Sequence, residues 1–316
     1  MRTRIDLYSG FLGAGKTTLI RKMLREAYAG ERIALIENEF GQVAVDGAFL
    51  RDRQIAISEI NAGCICCTLS DDFVRSLSDL ADRLRPDRIL IEPSGVGKLS
   101  DILAAVRMVS DVRSDLYLGS VMTVVDPLRA EANLGAFGYG EYFEDQIRMA
   151  KTIVFSRTGT VPEEKLEAAL RLIRPLNRAA DLVTTPWDLL DGKRLLTLSE
   201  AGKELEDGMY AELFPEHKAH DQSTHDLFGS WGAQTPRRYT EAELRAILTE
   251  LGGGSYGAVL RAKGLVASGG KEFLYFDYVP GEISVRAGEP DATGRICVIG
   301  AMLNKRGIAE LFGTGE

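Results

Sequence analysis

The chain has 316 residues, of which 45% are hydrophobic and 27% charged, with a formal net charge of −8. That composition belongs to a globular protein of one large or two ordinary domains. It offers no general electrostatic attraction to nucleic acid or to an anionic membrane. No apolar run reaches the length that spans a bilayer. The start, Met1-Arg2-Thr3-Arg4, runs straight into strand-like sequence, which leaves no room for a signal peptide, so a cytoplasmic location is expected.

In chain order, a strand is expected at Ile5–Tyr8, then a glycine-rich turn, then a helix through Thr18–Leu24. The turn, Gly10-Phe11-Leu12-Gly13-Ala14-Gly15-Lys16-Thr17, fits the phosphate-binding pattern G-x-x-x-x-G-K-[ST]. In that pattern the backbone N–H groups of Gly10, Gly13, Ala14 and Gly15 cradle phosphates at a helix N-terminus. Lys16 reaches the β- and γ-phosphates, Thr17 holds Mg²⁺, and Thr18 closes the cradle. Further strands are expected at Ile33–Glu37, Ile55–Glu59, Arg88–Ile91, Ser120–Val125, Thr152–Phe155 and Leu182–Thr184. Helical periodicity falls between many of them, as at Phe73–Leu84 and Glu163–Ile173. Alternation of this kind predicts an α/β domain, residues 1–198, with a mostly parallel sheet flanked by helices.

The stretch 199–226 is polar and carries all three histidines, His217, His220 and His225. It is expected to be a linker; His217 and His220 share the spacing of one helical face and are candidate auxiliary metal ligands. Residues 227–316 form the second expected domain, small and α+β. Its strands are expected at Phe228–Gln234, Ala258–Gly264, Glu272–Val279, Ile283–Ala287 and Arg295–Gly300. Helices are expected at Glu241–Leu251, with Thr240 as N-cap, and at Lys305–Phe312.

Three further segments carry chemistry. Gly63-Cys64-Ile65-Cys66-Cys67 places three thiols within four positions, in a chain with four cysteines in all. Such thiols can converge on one soft cation and leave a fourth position open. A redox cluster and buried structural thiols are the alternatives; Cys297, alone in a strand, reads as core. Ile89-Leu90-Ile91-Glu92-Pro93-Ser94-Gly95 is an apolar strand ending in a carboxylate. Glu92 there can act on Mg²⁺ through water or orient an attacking water, and the Gly95 N–H can approach a γ-phosphate. Glu37 and Glu39, in Ile36-Glu37-Asn38-Glu39-Phe40-Gly41, sit at a strand end where ligands gather in open α/β sheets and can hold Mg²⁺ or a transferred metal. A solvated acidic turn is the alternative.

Taken together, Gly10–Thr18, Glu37–Gly41, Gly63–Cys67 and Glu92–Gly95 closely resemble the CobW-type P-loop GTPases, relatives of the nickel-handling HypB and UreG accessory proteins. Gly257–Gly264 is similar to that family's small C-terminal domain. The resemblance implies GTP hydrolysis coupled to delivery of a transition metal, zinc or cobalt, to a client metalloprotein or cofactor enzyme. It implies Mg²⁺ as cofactor, Cys64, Cys66 and Cys67 as ligands of the carried metal, and Lys16, Glu92 and Gly95 as the catalytic set. A nucleotide-switched activator of a corrinoid or other cofactor enzyme, without metal delivery, is the alternative; a monomer or homodimer is expected. The chain departs from the family where an Asn/Thr-Lys-x-Asp motif reads guanine: it has Ser156-Arg157-Thr158-Gly159 instead. Ser156 and Arg157 remain candidate nucleotide contacts; Arg157 can stack on a base, and Trp187 reads first as a packed loop residue, with stacking as the alternative. The carboxylate is missing, which leaves GTP against ATP open. Gln42 also stands where many relatives carry glutamate.

Overall fold

The computed structural model describes residues 2–37, 56–59, 71–135, 139–201, 228–269, 272–288 and 293–314. They fall into two compact units, described separately.

The first unit contains strands β1 (Thr3–Gly10), β2 (Ile33–Glu37), β3 (Ala56–Glu59), β4 (Arg88–Glu92), β5 (Leu116–Val125), β6 (Thr152–Phe155) and β7 (Asp181–Val183). They form one sheet in the order β3-β2-β4-β1-β5-β6-β7, and every pairing is parallel. The helices between them are α1 (Lys16–Glu26), α2 (Asp71–Leu84), α3 (Leu99–Val112), α4 (Ala130–Leu134), α5 (Gly140–Arg148), α6 (Glu163–Ile173) and α7 (Gly192–Ala201). This is a P-loop NTPase fold. Helix α7 runs through residue 198 to Ala201, and 202–227, with all three histidines, lie outside the described residues.

Alternation along the strands builds two cores, as a parallel sheet covered on both faces requires. Ile5, Leu7, Ile89 and Ile91 pack with Leu77 and Leu80 of α2 and with Ile102, Leu103 and Val106 of α3. On the other face Tyr8, Leu35, Leu90 and Val124 pack with Leu19, Ile20 and Met23 of α1 and Leu195 of α7.

One polar side chain interrupts this core and fixes its register. Ile5 pairs with Leu118 and Leu7 with Val121, so Asp6 of β1 faces two residues of β5. The Asp6 carboxylate is fully buried. It accepts from the Ser120 N–H at 2.7 Å and the Arg4 Nε at 3.3 Å, and pairs closely with the Arg88 guanidinium. Arg88 also donates to Glu31 at 2.8 Å and to Glu200 at 3.3 Å. The extra β5 residue thus has its amide satisfied by a side chain, and the buried charge is compensated on all sides.

The second unit is an antiparallel five-stranded sheet in the order β11-β10-β9-β12-β8. Its strands are β8 (Phe228–Thr235), β9 (Ala258–Ala267), β10 (Phe273–Val279), β11 (Glu282–Gly288) and β12 (Gly294–Ala301). Helices α8 (Glu241–Leu251) and α9 (Lys305–Phe312) bury Leu244, Leu248, Ile308 and Phe312 against Val266, Phe276, Ile296 and Val298. Thr240 caps α8, its hydroxyl accepting from the Glu243 N–H at 3.2 Å. Cys297 is buried in β12, as expected of a core residue, and burial pushes its thiol pKa up.

Replacing Asp6 with alanine should cost about 3–5 kcal/mol. It strips the Ser120 amide of its acceptor and Arg88 of its most buried partner. Urea unfolding of the full chain measures it; a loss under 1 kcal/mol would mean that Glu31 and Glu200 alone hold Arg88.

Candidate nucleotide site

The phosphate-binding turn leaves the sheet at the C-terminal end of β1, between β4 and β5. Loops that bind ligands in open α/β sheets collect at this edge. Gly10 has φ +140°, and a Cβ there would come within 2.4 Å of the Val124 carbonyl oxygen. Gly13 and Gly15 take φ +72° and +108°, which side-chain-bearing residues rarely adopt. Helix α1 begins at Lys16, so its free amides face the turn. The Lys16 ammonium is buried and donates to the carbonyls of Gly10 at 2.9 Å and Phe11 at 3.3 Å.

The Thr17 hydroxyl donates to the Glu92 carboxylate, at 3.0 Å from Oε1 and 3.2 Å from Oε2. Residues 75 positions apart, the first in α1 and the second ending β4, therefore meet beside the turn. Glu37 ends β2 and pairs in register with Glu92 on one side and Glu59 on the other. Backbone topology thus sets three acidic residues side by side along one sheet edge.

The loop after Glu92 is pressed against the turn. A Cβ at Gly95 would lie 2.7 Å from the Leu12 backbone nitrogen, so only glycine permits this approach. Gln146, fully buried in α5, donates through Nε2 to the carbonyls of Gly95 at 3.1 Å and Gly97 at 2.9 Å. Its neighbour Asp145 accepts from the Ser100 N–H at 3.1 Å, at the start of α3; burial raises its carboxyl pKa, against the pull of that hydrogen bond. Nothing in the sequence marked Gln146, which reads as one more polar residue in an amphipathic helix.

Each base-side candidate has a partner within the protein. Ser156 is buried and its hydroxyl donates to the Val125 carbonyl at 3.4 Å. Arg157 has φ +59°, and its Nε lies 3.2 Å from Asp126 Oδ2, an ion pair that ties its guanidinium to the end of β5. Trp187 is a packing residue: its indole N–H donates to the Phe155 carbonyl at 2.8 Å, and its ring would lie 3.2 Å from a Cβ on Gly15. Cys64, Cys66 and Cys67, with Glu39 and Gln42, lie outside the described residues. Among the described residues no three His, Cys, Asp or Glu side chains gather as a metal site, and no helix is long and apolar enough to cross a membrane.

Gln146→Leu keeps the volume but leaves two buried carbonyls without their donor. Stability should fall by about 1–3 kcal/mol, read by urea unfolding. Triphosphate affinity should fall with it, and unchanged affinity would show that the 95–97 loop is held without Gln146.

Residues 5–184 match the family model described as the CobW/HypB/UreG nucleotide-binding domain, and residues 228–315 match the CobW C-terminal domain. Zinc chaperone CobW of Sinorhizobium sp is 38% identical over 186 residues, covering 51% of this chain and 52% of that protein. Zinc chaperone YjiA of Escherichia coli (strain K12) is 35% identical over 191 residues, covering 58% of each. The chain spans about half to three-fifths of the length of the curated relatives it matches. The crystal structure of Zn(II)-bound YjiA GTPase from E. coli aligns over 100% of this chain and 99% of that one, with 24% identity and a TM-score of 0.46. With a phosphate turn, its partner carboxylate and both domain models matched in order, this chain belongs to the CobW/HypB/UreG family.

Proposed function

We propose that this chain is a GTP-dependent metallochaperone that carries zinc on Cys64, Cys66 and Cys67 and hands it to a client protein as GTP is hydrolysed. The observation that carries the nucleotide half is the Thr17–Glu92 hydrogen bond at the phosphate turn. A hydroxyl and a carboxylate are hard oxygen donors, the kind Mg²⁺ selects, so the residues present fit that ion. Thr17 would hold it, with Glu92 beside it; when bound, Mg²⁺ neutralises charge on the β- and γ-phosphates.

The chain's own residues supply the rest. Lys16 exchanges the carbonyls of Gly10 and Phe11 for phosphate oxygens, a stronger pairing for an ammonium. The amides at the start of α1 bind the anion. Glu92 orients the attacking water, and the Gly95 N–H meets the γ-phosphate. Because Gln146 grips the carbonyls of Gly95 and Gly97, a displacement of this loop is passed to α5.

The metal half rests on the three thiols and on the relatives named zinc chaperones. A 28% identical relative in Schizosaccharomyces pombe is named zinc-regulated GTPase metalloprotein activator 1. The cysteine segment follows β3, whose last residue is two strands from Glu92 in register. Residues 1–198 are proposed as the nucleotide domain, 199–226 as a histidine-bearing connection with His217 and His220 as auxiliary ligands, and 227–316 as the client-facing domain. A reducing cytoplasm keeps the thiols available.

The test is a zinc and cobalt titration of the reduced full chain against a competing chelator, with Mg²⁺ plus GTP, Mg²⁺ plus GDP, or no nucleotide. One metal site should tighten by about tenfold or more with GTP, within the usual range of allosteric coupling, and should vanish in Cys66→Ser. Lys16→Ala should abolish the nucleotide effect while sparing the metal site. Metal affinity indifferent to nucleotide would favour a nucleotide-switched activator of a cofactor enzyme.

A further inference from the structure

Guanine shows an N1–H and a 2-amino group on one edge, where adenine shows a bare N1 and, at position 2, only a C–H. A carboxylate accepts from both guanine donors and is repelled by adenine's lone pair. Gly159 stands where the motif of the resembled family would carry an aspartate, and it has no side chain to offer. A different residue reaches the same place. A Cβ on Gly159 would stand 3.8 Å from Asp188 Oδ1 and 3.5 Å from Pro186 Cβ. An aspartate at 159 would carry its own oxygens two bonds beyond that Cβ, so the two carboxylates would belong to one neighbourhood.

Asp188 is held there by its neighbours. Trp187 donates to the Phe155 carbonyl and packs on Gly15 of the phosphate turn, and the Leu189 N–H closes a turn on the Pro186 carbonyl at 2.9 Å. The side chain itself is exposed. Arg157, the nearest cation of the substituted motif, is committed to Asp126. We propose that Asp188 is the base-reading carboxylate of this chain, accepting from the guanine N1–H and 2-amino group in place of the aspartate that position 159 lacks.

This assignment rests on the phosphate turn binding nucleotide, and the experiment separates the two. Affinities of the full chain for GDP, ADP and XDP are measured by calorimetry for wild type, Asp188→Asn and the double variant Gly159→Asp with Asp188→Ser. Wild type should prefer GDP. Asp188→Asn should weaken GDP about 10- to 100-fold and strengthen XDP, because the asparagine amide donates to the xanthine 2-oxo group while its oxygen accepts from N1–H. ADP affinity should hold or rise, since the repulsion of the adenine N1 lone pair is gone, which reports an intact fold and phosphate site. The double variant should regain GDP preference, since Gly159 lacks a positive φ and a Cβ there makes ordinary contacts. Nucleotide binding without base preference, or a GDP-to-ADP ratio unchanged in Asp188→Asn, overturns Asp188 alone. No binding of any nucleotide by wild type overturns the nucleotide site and this assignment with it.

Discussion

The carboxylate buried at the centre of the parallel sheet sets the height at which the phosphate turn leaves it. Asp6 absorbs the extra residue of β5, and above that point β1 and β5 run in register from Leu7 with Val121 to Gly10 with Val124. Gly10 must then pass the Val124 carbonyl with no side chain, and Leu12 must pass Gly95 on the β4 side. A slip of one residue would turn Leu7 and Tyr8 to the wrong faces and move the turn away from Glu92. The geometry of the site is thus inherited from a charge that lies well below it. Arg88, Arg4 and Ser120 make that charge tolerable.

Much of the architecture was legible because parallel strands and amphipathic helices write different periods. Thr152–Phe155, Glu163–Ile173, Glu241–Leu251 and Lys305–Phe312 occur with the bounds the pattern predicts. The errors are at ends where side chains stop reporting on backbone. β1 begins at Thr3 and reaches Gly10, past the expected Ile5–Tyr8, because ladder hydrogen bonds continue through a threonine, an arginine and a glycine. β5 starts at Leu116, four residues before the expected Ser120, because the Gly119 bulge breaks the apolar alternation. The α2 helix starts at Asp71, ahead of the expected Phe73, since its first turn is acidic.

The site was legible where chemistry fixes spacing and opaque where packing does. The turn from Gly10 to Thr17 dictates its own conformation, and an apolar strand ending in Glu92 announces a carboxylate at the sheet edge. That the two meet follows from strand order, β4 beside β1, which no local pattern states. Gln146, Asp126 and Asp188 escaped notice for the same reason. Each is an ordinary polar residue whose role comes from what the fold brings to it: two loop carbonyls, an arginine, and a glycine lacking a side chain.

Trp187 lies against Gly15 of the phosphate turn, while the chain's other tryptophan, Trp231, stacks on Phe312 in the second unit with ring centroids 5.7 Å apart. Each compact unit therefore carries its own intrinsic fluorophore. With either indole replaced by phenylalanine, emission from the other follows one unit alone. The order in which the two units melt, and whether nucleotide shifts one transition without the other, becomes visible without any added label.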